Sequence, residues 1–316
     1  MERVAAVDVG TNTVLLTVAE RRGDALVPVL ERAEITRLGR GVDRTGQLDP
    51  AAIEDTVAVL ARFAAEARAL GAARIACVAT SAARDAGNGE AFFAAARAAA
   101  GLAPEVISGE EEARLVHRSA WNDFGSPGRT LAVLDVGGGS TELTWGSGPD
   151  PAGRRSFRIG AVRLTERVAP ADPPAPRDLE AMRAGARDAL ADVAAIHRSG
   201  VLAGSRLVAV AGTVTTLAAV ARSLPVYDAE QVHGAALDAA ALERLVARLA
   251  ALPQAERAAL PGMEPKRADV IVAGAIVVAE AMRLGGFATL TVSDRGVRWG
   301  LLHDRFGGPA GAPRRD

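Results

Sequence analysis

Val7-Asp8-Val9-Gly10-Thr11-Asn12-Thr13, close to the amino terminus, is answered in mid-chain by Leu134-Asp135-Val136-Gly137-Gly138-Gly139-Ser140-Thr141. Each run is an apolar strand ending in Asp-Val-Gly, followed by small hydroxyl residues and a second strand. Glycine at such a bend lets backbone N–H groups face an anion with no side chain in the way. Thr11, Asn12 and Thr13 in the first turn, and Ser140 and Thr141 in the second, add hydroxyl or amide donors. Asp8 and Asp135, at the strand ends, are suitably placed to hold a hydrated divalent cation. Either turn alone reads equally well as an ordinary glycine hairpin. One in each half of the chain points to a phosphate-binding pair.

What surrounds the two runs repeats as well. Three strands (4–9, 13–19 and 26–35) are expected first, then a helix opened by Asp49-Pro50, a strand at 75–79, a helix near 90–99, a short strand at 105–107 and a helix from Glu110. The turn formers of 122–128 mark the expected boundary. Strands at 131–136, 141–145 and 156–159 follow it, then a helix over 177–197, a strand at 207–210, helices at 214–222, 239–251 and 267–284, a strand at 288–292 and a last helix at 296–305. This is an internal duplication of one α/β unit. The expected domains are 1–124 and 125–306, the last helix packing back on the first, with a flexible Gly-, Pro- and Arg-rich tail at 307–316.

Composition narrows the function. A chain of 316 residues with 49% hydrophobic and 24% charged residues is globular and long enough for two domains. Its net charge of −1 supplies no global field for nucleic acid or a membrane surface. An anionic ligand must be held by a local cluster. Lys266 is the only lysine, and Glu264-Pro265-Lys266-Arg267 is not a P-loop, so phosphate is bound by other means. Cys77, the sole cysteine, excludes an intrachain disulfide and a thiolate metal site. With no apolar leader, and no apolar run longer than Val270–Ala279, a cytoplasmic location is expected. The four histidines have no spacing that suggests a metal site and read as structural or exposed.

The paired turns resemble the phosphate-binding signature of the superfamily that includes actin, sugar kinases and chaperone ATPases. Further blocks narrow the resemblance: Ala79-Thr80-Ser81-Ala82-Ala83-Arg84-Asp85, Ile107-Ser108-Gly109-Glu110-Glu111-Glu112-Ala113-Arg114, the Asp135–Glu142 run, Gly212-Thr213-Val214-Thr215-Thr216 and Val292-Ser293-Asp294-Arg295-Gly296. In this order they resemble the exopolyphosphatase/guanosine pentaphosphate phosphohydrolase family, in its short two-domain form. The resemblance implies two ribonuclease-H-like, actin-like domains with an active-site cleft between them, a Mg²⁺ or Mn²⁺ cofactor and a homodimer.

Residue chemistry sorts the acidic triplet. Ser108 suits an N-cap, and Glu111 falls where a capping box would use it. Glu110 and Glu111 also favour the positive helix end. Glu112 has no such duty and matches the family's catalytic glutamate, with Glu111 in reserve. Gly10, Thr11, Asn12, Thr13, Arg84, Gly137, Gly138, Gly139, Ser140 and Thr141 would bind phosphate, Arg84 through its planar guanidinium. Asp135, Glu142 and Asp8 would hold the metal. Gly212-Thr213 matches the superfamily's nucleoside-contacting turn but would serve equally as a tight strand-to-helix turn. The expected reaction is hydrolysis of the terminal phosphate of inorganic polyphosphate, probed against three rivals: a guanosine pentaphosphate (pppGpp) phosphohydrolase, a kinase, and a non-catalytic sensor of alarmone or polyphosphate.

Overall fold

In the computed structural model of the protein, which describes residues 2–307, the chain divides into two compact units, 1–108 with 297 onward, and 109–296. The first opens with β1 (Arg3–Val9), β2 (Thr13–Arg22) and β3 (Ala25–Ile35), a continuous antiparallel meander. β1 is nearly all apolar and buried because it lies mid-sheet, whereas β3, at the sheet edge, is only part-buried. α1 (Val42–Thr45) and α2 (Pro50–Ala69) follow; Asp49 caps α2 by accepting from the Ala51 and Ala52 N–H groups, and Pro50 takes the first turn, where no N–H is needed. β4 (Ala72–Ala79) returns parallel to β1, and α3 (Ser81–Asp85), α4 (Gly89–Ala100) and β5 (Glu105–Val106) complete a sheet of order β3-β2-β1-β4-β5.

The second unit begins one helix earlier than the expected boundary after Phe124. α5 (Gly109–Phe124) buries Ala113, Leu115, Val116, His117 and Ala120, and this face packs on β6 (Leu131–Val136), β7 (Thr141–Gly146) and β8 (Gly153–Phe157). The turn residues at 122–128 therefore join two elements of one unit. α6 (Ala161–Val168) follows, a helix that the sequence pattern did not announce. The expected helix over 177–197 is two, α7 (Pro176–Ala189) and α8 (Ala191–Arg198), broken at Leu190. Then come β9 (Arg206–Val210), α9 (Ala211–Ala221), α10 (Ala229–Val232), β10 (Ala236–Asp238), α11 (Ala239–Ala250) and α12 (Gln254–Ala258). A 3-10 turn at Pro265–Arg267 precedes α13 (Ile271–Gly285), so this helix starts later than expected; β11 (Thr289–Val292) closes the unit.

The second sheet runs β10-β11-β9-β6-β7-β8. Read from β8, it repeats the first, three antiparallel strands and then two, β9 and β11, parallel to the innermost one, and adds β10 antiparallel at the edge. Each unit has its own apolar core, around Val7, Leu16, Leu60 and Phe92 in the first and Leu134, Leu143, Leu207 and Ile276 in the second. The last helix, α14 (Val297–Phe306), returns to the first unit and packs on β1. The expected tail lies, from residue 308, outside the described residues.

One carboxylate secures that return. Glu31 Oε1 on β3 accepts from Thr17 Oγ1 (3.2 Å), the Arg298 guanidinium (3.0 Å) and Trp299 Nε1 (2.9 Å), and Trp299 is 1% exposed. Replacing Glu31 by Ala leaves the buried Arg298 without this anion. The expected loss is about 2–4 kcal/mol of stability, read by denaturant unfolding followed through tryptophan fluorescence.

Candidate active site

Strand register assembles the carboxylates of the second unit. Asp135 on β6 faces Glu142 on β7, and Glu142 faces Ser156 on β8, so the three stand side by side on neighbouring strands. α5 crosses these strands and brings Glu112 from its first turn. All three carboxylates are buried: Asp135 is 6%, Glu142 1% and Glu112 7% exposed. Burial, above all, and then the charges of Glu112 and Asp135 push the Glu142 carboxyl well above the usual carboxylate range. Hydrogen bonds from Ser156 and Ser140 oppose the shift; Ser156 Oγ donates to Glu142 Oε1 over 2.7 Å. Glu142 Oε2 is buried without a hydrogen-bond partner. Repelling carboxylates with one oxygen left over suit a hard cation, which takes oxygen ligands. Among the described residues no group of three or more His, Cys, Asp and Glu is arranged to hold a metal ion.

The adjoining glycine turn is held from one side. Gly137 N–H donates to Ser140 O (3.1 Å), closing the bend. The N-terminal N–H groups of α6 take its carbonyls: Ala161 donates to Gly137 O (3.0 Å), and Val162 and Arg163 donate to Gly138 O (2.9 and 3.0 Å). The side chain of Arg163, 5% exposed, donates from Nε to Gly139 O (2.6 Å). In a planar trans peptide the next N–H points opposite to the carbonyl, so the N–H groups of Gly138, Gly139 and Ser140 are turned away from α6 as a set of donors. Gly160 allows the approach: a Cβ there would lie 2.6 Å from the Gly138 carbonyl oxygen. The Thr141 hydroxyl faces inward, donating to Ile159 O (2.7 Å), and pins the start of β7.

The first unit has the same bend. Gly10 N–H donates to Thr13 O (3.0 Å), Thr36 and Arg37 donate to Asn12 O (3.1 Å each), and Gly39 donates to Thr11 O (2.8 Å). The loop 36–39 thus does here what α6 does in the second unit. Asn12 Nδ2 is buried and has no hydrogen-bond partner, an amide donor available to an anion. Asp8, 7% exposed, ends β1 opposite Leu15, the position that corresponds to Glu142 in the other sheet. The full row of carboxylates belongs to the second unit only. Arg84 ends α3 and donates to Ile107 O (2.7 Å).

Two further candidates have definite surroundings. Both oxygens of Glu111 accept from the Arg114 guanidinium (2.7 and 2.9 Å), so this carboxylate is engaged. Gly212 and Thr213 lie in the first turn of α9, which begins at Ala211 straight after Val210, the partner of Asp135. The guanidinium of Arg267 lies where a Cβ on Gly212 would stand.

A duplicated α/β fold with a buried carboxylate row beside an amide-lined turn defines a phosphate-handling enzyme of the actin-like class. Residues 17–307 match the Ppx/GppA phosphatase family, and the chain belongs to it. Exopolyphosphatase 2 of Mycobacterium tuberculosis is 40% identical over 315 residues, 95% of this chain and 98% of that protein. A crystal structure of the Aquifex aeolicus family member is 32% identical with a TM-score of 0.79, covering 96% of this chain and 97% of that one. An exopolyphosphatase structure from Cytophaga hutchinsonii, 24% identical over 96% and 97% of the two chains, shares the fold with a TM-score of 0.89. The protein is accordingly a phosphatase with two actin-like domains.

Reading the sequence passed over Ser156 and Arg163. Ser156 acts only through its cross-strand neighbour, which no local pattern reveals. Arg163 follows Gly160-Ala161-Val162, and a glycine before a short amphipathic run was the available signal.

The Glu142 shift has a sign. A carboxyl raised on folding keeps a proton that the unfolded chain has lost, so stability present in acid declines as pH rises through the raised value. Without divalent cations, Glu142→Gln should melt at a higher temperature than the wild type at about pH 8 and show a flatter dependence from about pH 5 to pH 8. Calorimetry across that range checks it.

Proposed function

We propose that the protein is an exopolyphosphatase that hydrolyses the terminal phosphoanhydride bond of inorganic polyphosphate. The single observation carrying this reading is the desolvated Glu112–Glu142–Asp135 row beside the amide donors of the Gly137–Ser140 turn. The 40% identity to a mycobacterial exopolyphosphatase supports the substrate.

In this reading Gly138, Gly139 and Ser140 donate to the terminal phosphate through their N–H groups. Gly10, Thr11, Asn12, Thr13 and Arg84 are the anion-binding groups of the first unit. Asp135 and Glu142 would hold a divalent cation, Mg²⁺ or Mn²⁺, in the second unit, with Asp8 the corresponding carboxylate of the first; when bound, the ion would supply neutralisation of phosphate charge. Ser156 fixes the Glu142 carboxylate so that one oxygen remains for that duty. Glu112 orients a water and takes its proton as the oxygen attacks the terminal phosphorus in line. The phosphorus–bridging-oxygen bond breaks, and the shortened chain leaves with the bridging oxygen. Phosphoryl transfer asks chiefly for positioning and charge stabilisation, which these groups supply. Substrate, cytoplasm and homodimer belong to the same proposal; no helix among the described residues is long and apolar enough to cross a membrane.

Glu112→Gln removes the proton acceptor while keeping shape. Phosphate release should fall by roughly 10²–10⁴-fold with polyphosphate binding preserved; near-normal turnover would overturn the assignment. Phosphate release from short polyphosphate, long polyphosphate, pppGpp and ATP, with and without Mg²⁺, tests the substrate. Release mainly from pppGpp would move the activity to the alarmone, and release from none would favour a sensor.

A further inference from the structure

His117 has no part in the proposed chemistry, yet it is wholly buried, at 0% exposure, on the helix that carries Glu112. Its two ring nitrogens have partners that dictate the tautomer. Nε2 lies 3.1 Å from the Gly148 carbonyl oxygen, which can only accept, so Nε2 bears the hydrogen. Nδ1 is then a bare acceptor, and Thr144 Oγ1, 2.8 Å away, donates to it. Burial lowers the pKa of this imidazole and keeps it neutral, while the Gly148 carbonyl and Asp150 pull the other way. Arg114 and Arg118, on the same helix, each approach Asp150 to 3.7 Å. The Trp121 ring stacks beside the imidazole, centroids 6.4 Å apart and planes inclined by 13°.

The position of this contact is what gives it consequence. Thr144 follows Glu142 by two residues on β7, so both project from the same face. His117 lies on the same helix as Glu112. The His117–Thr144 bond therefore ties the helix that carries Glu112 to the strand that carries Glu142, two residues from that carboxylate. Apart from Ser119, whose Oγ donates to the Arg295 carbonyl over 3.1 Å, the rest of the buried face of α5 is aliphatic, with Ala113, Leu115, Val116 and Ala120. Such contacts have no direction and tolerate small slides and rotations. A buried imidazole between a hydroxyl and a carbonyl does not.

We propose that His117 is a positioning residue that sets the register of α5 on β7 and so places Glu112 against Glu142. The inference rests on Glu112 as the catalytic base. A displacement of about 1 Å at a reacting group is enough to cost on the order of 10²-fold in rate, and loss of a supporting hydrogen bond behind a site residue typically costs 10–100-fold.

Thr144→Val keeps volume and removes the donor to Nδ1. With polyphosphate as substrate, kcat should fall roughly 10- to 100-fold with KM nearly unchanged, because the phosphate-binding turn is untouched. Thr144→Ser, which restores the hydroxyl, should recover most of kcat. His117→Gln keeps a donor for Gly148 but not the Thr144 contact, and should reproduce the kcat loss even if Thr144→Val folds poorly. Wild-type kcat in either folded variant, or a Thr144→Ser protein no better than Thr144→Val, overturns the proposal. Glu112→Gln assayed alongside separates the two ideas. If it is inactive while Thr144→Val turns over normally, only the positioning role falls; if it turns over normally, the catalytic assignment falls and the positioning role with it.

Discussion

Glu142 stands between Asp135 and Ser156 on adjacent strands, almost without access to water, and Glu112 adds a third carboxylate from the helix above. Burying like charges together is unfavourable unless something of opposite charge, or a proton, compensates them. Much of the second unit makes sense as the means of holding that unfavourable arrangement. Three paired strands fix the row, Ser156 satisfies one Glu142 oxygen, and α5 is held down by an apolar face and the His117 contacts. The remaining Glu142 oxygen is left for a ligand, so the strain that burial creates is directed at the position where a cation and phosphate would relieve it.

The glycine turns follow a complementary logic. A flexible turn can offer its amides to an anion only if its carbonyls are engaged elsewhere. In the second unit α6 and Arg163 engage them; in the first, the loop 36–39 does. The two solutions differ in sequence and agree in geometry, since Gly10–Thr13 and Gly137–Ser140 close with the same hydrogen bond. Duplication has preserved the backbone device while the side chains diverged. Leu15 stands where the other sheet has Glu142, so the closed glycine turn is common to both units but the carboxylate row is not.

Legibility followed the range of the interactions involved. The strands β1, β2, β6 and β7, the capped start of α2 and the paired turns could all be read because each depends on local periodicity or a short motif. α6 escaped because an eight-residue helix between glycine and a proline-rich loop has little propensity signal, and its stability comes from the turn it supports. The boundary before α5 escaped because turn-forming residues mark any exposed connection, within a domain or between two. The expected capping duty of Glu111 is not what engages it in the structure, where both its oxygens accept from Arg114, one turn along the same helix.

By itself the sequence determined that the protein is a duplicated α/β structure with a matched glycine turn in each half. Those properties follow from residue type and from spacings of a few positions. Only the tertiary structure decided that Glu142 lies beside Asp135 and within the field of Glu112, that Ser156 donates to Glu142 and Arg163 to Gly139, and that His117 is held between Thr144 and Gly148. These depend on strand register and helix placement, where residues distant in the chain meet, and burial then converts their proximity into a shifted ionisation.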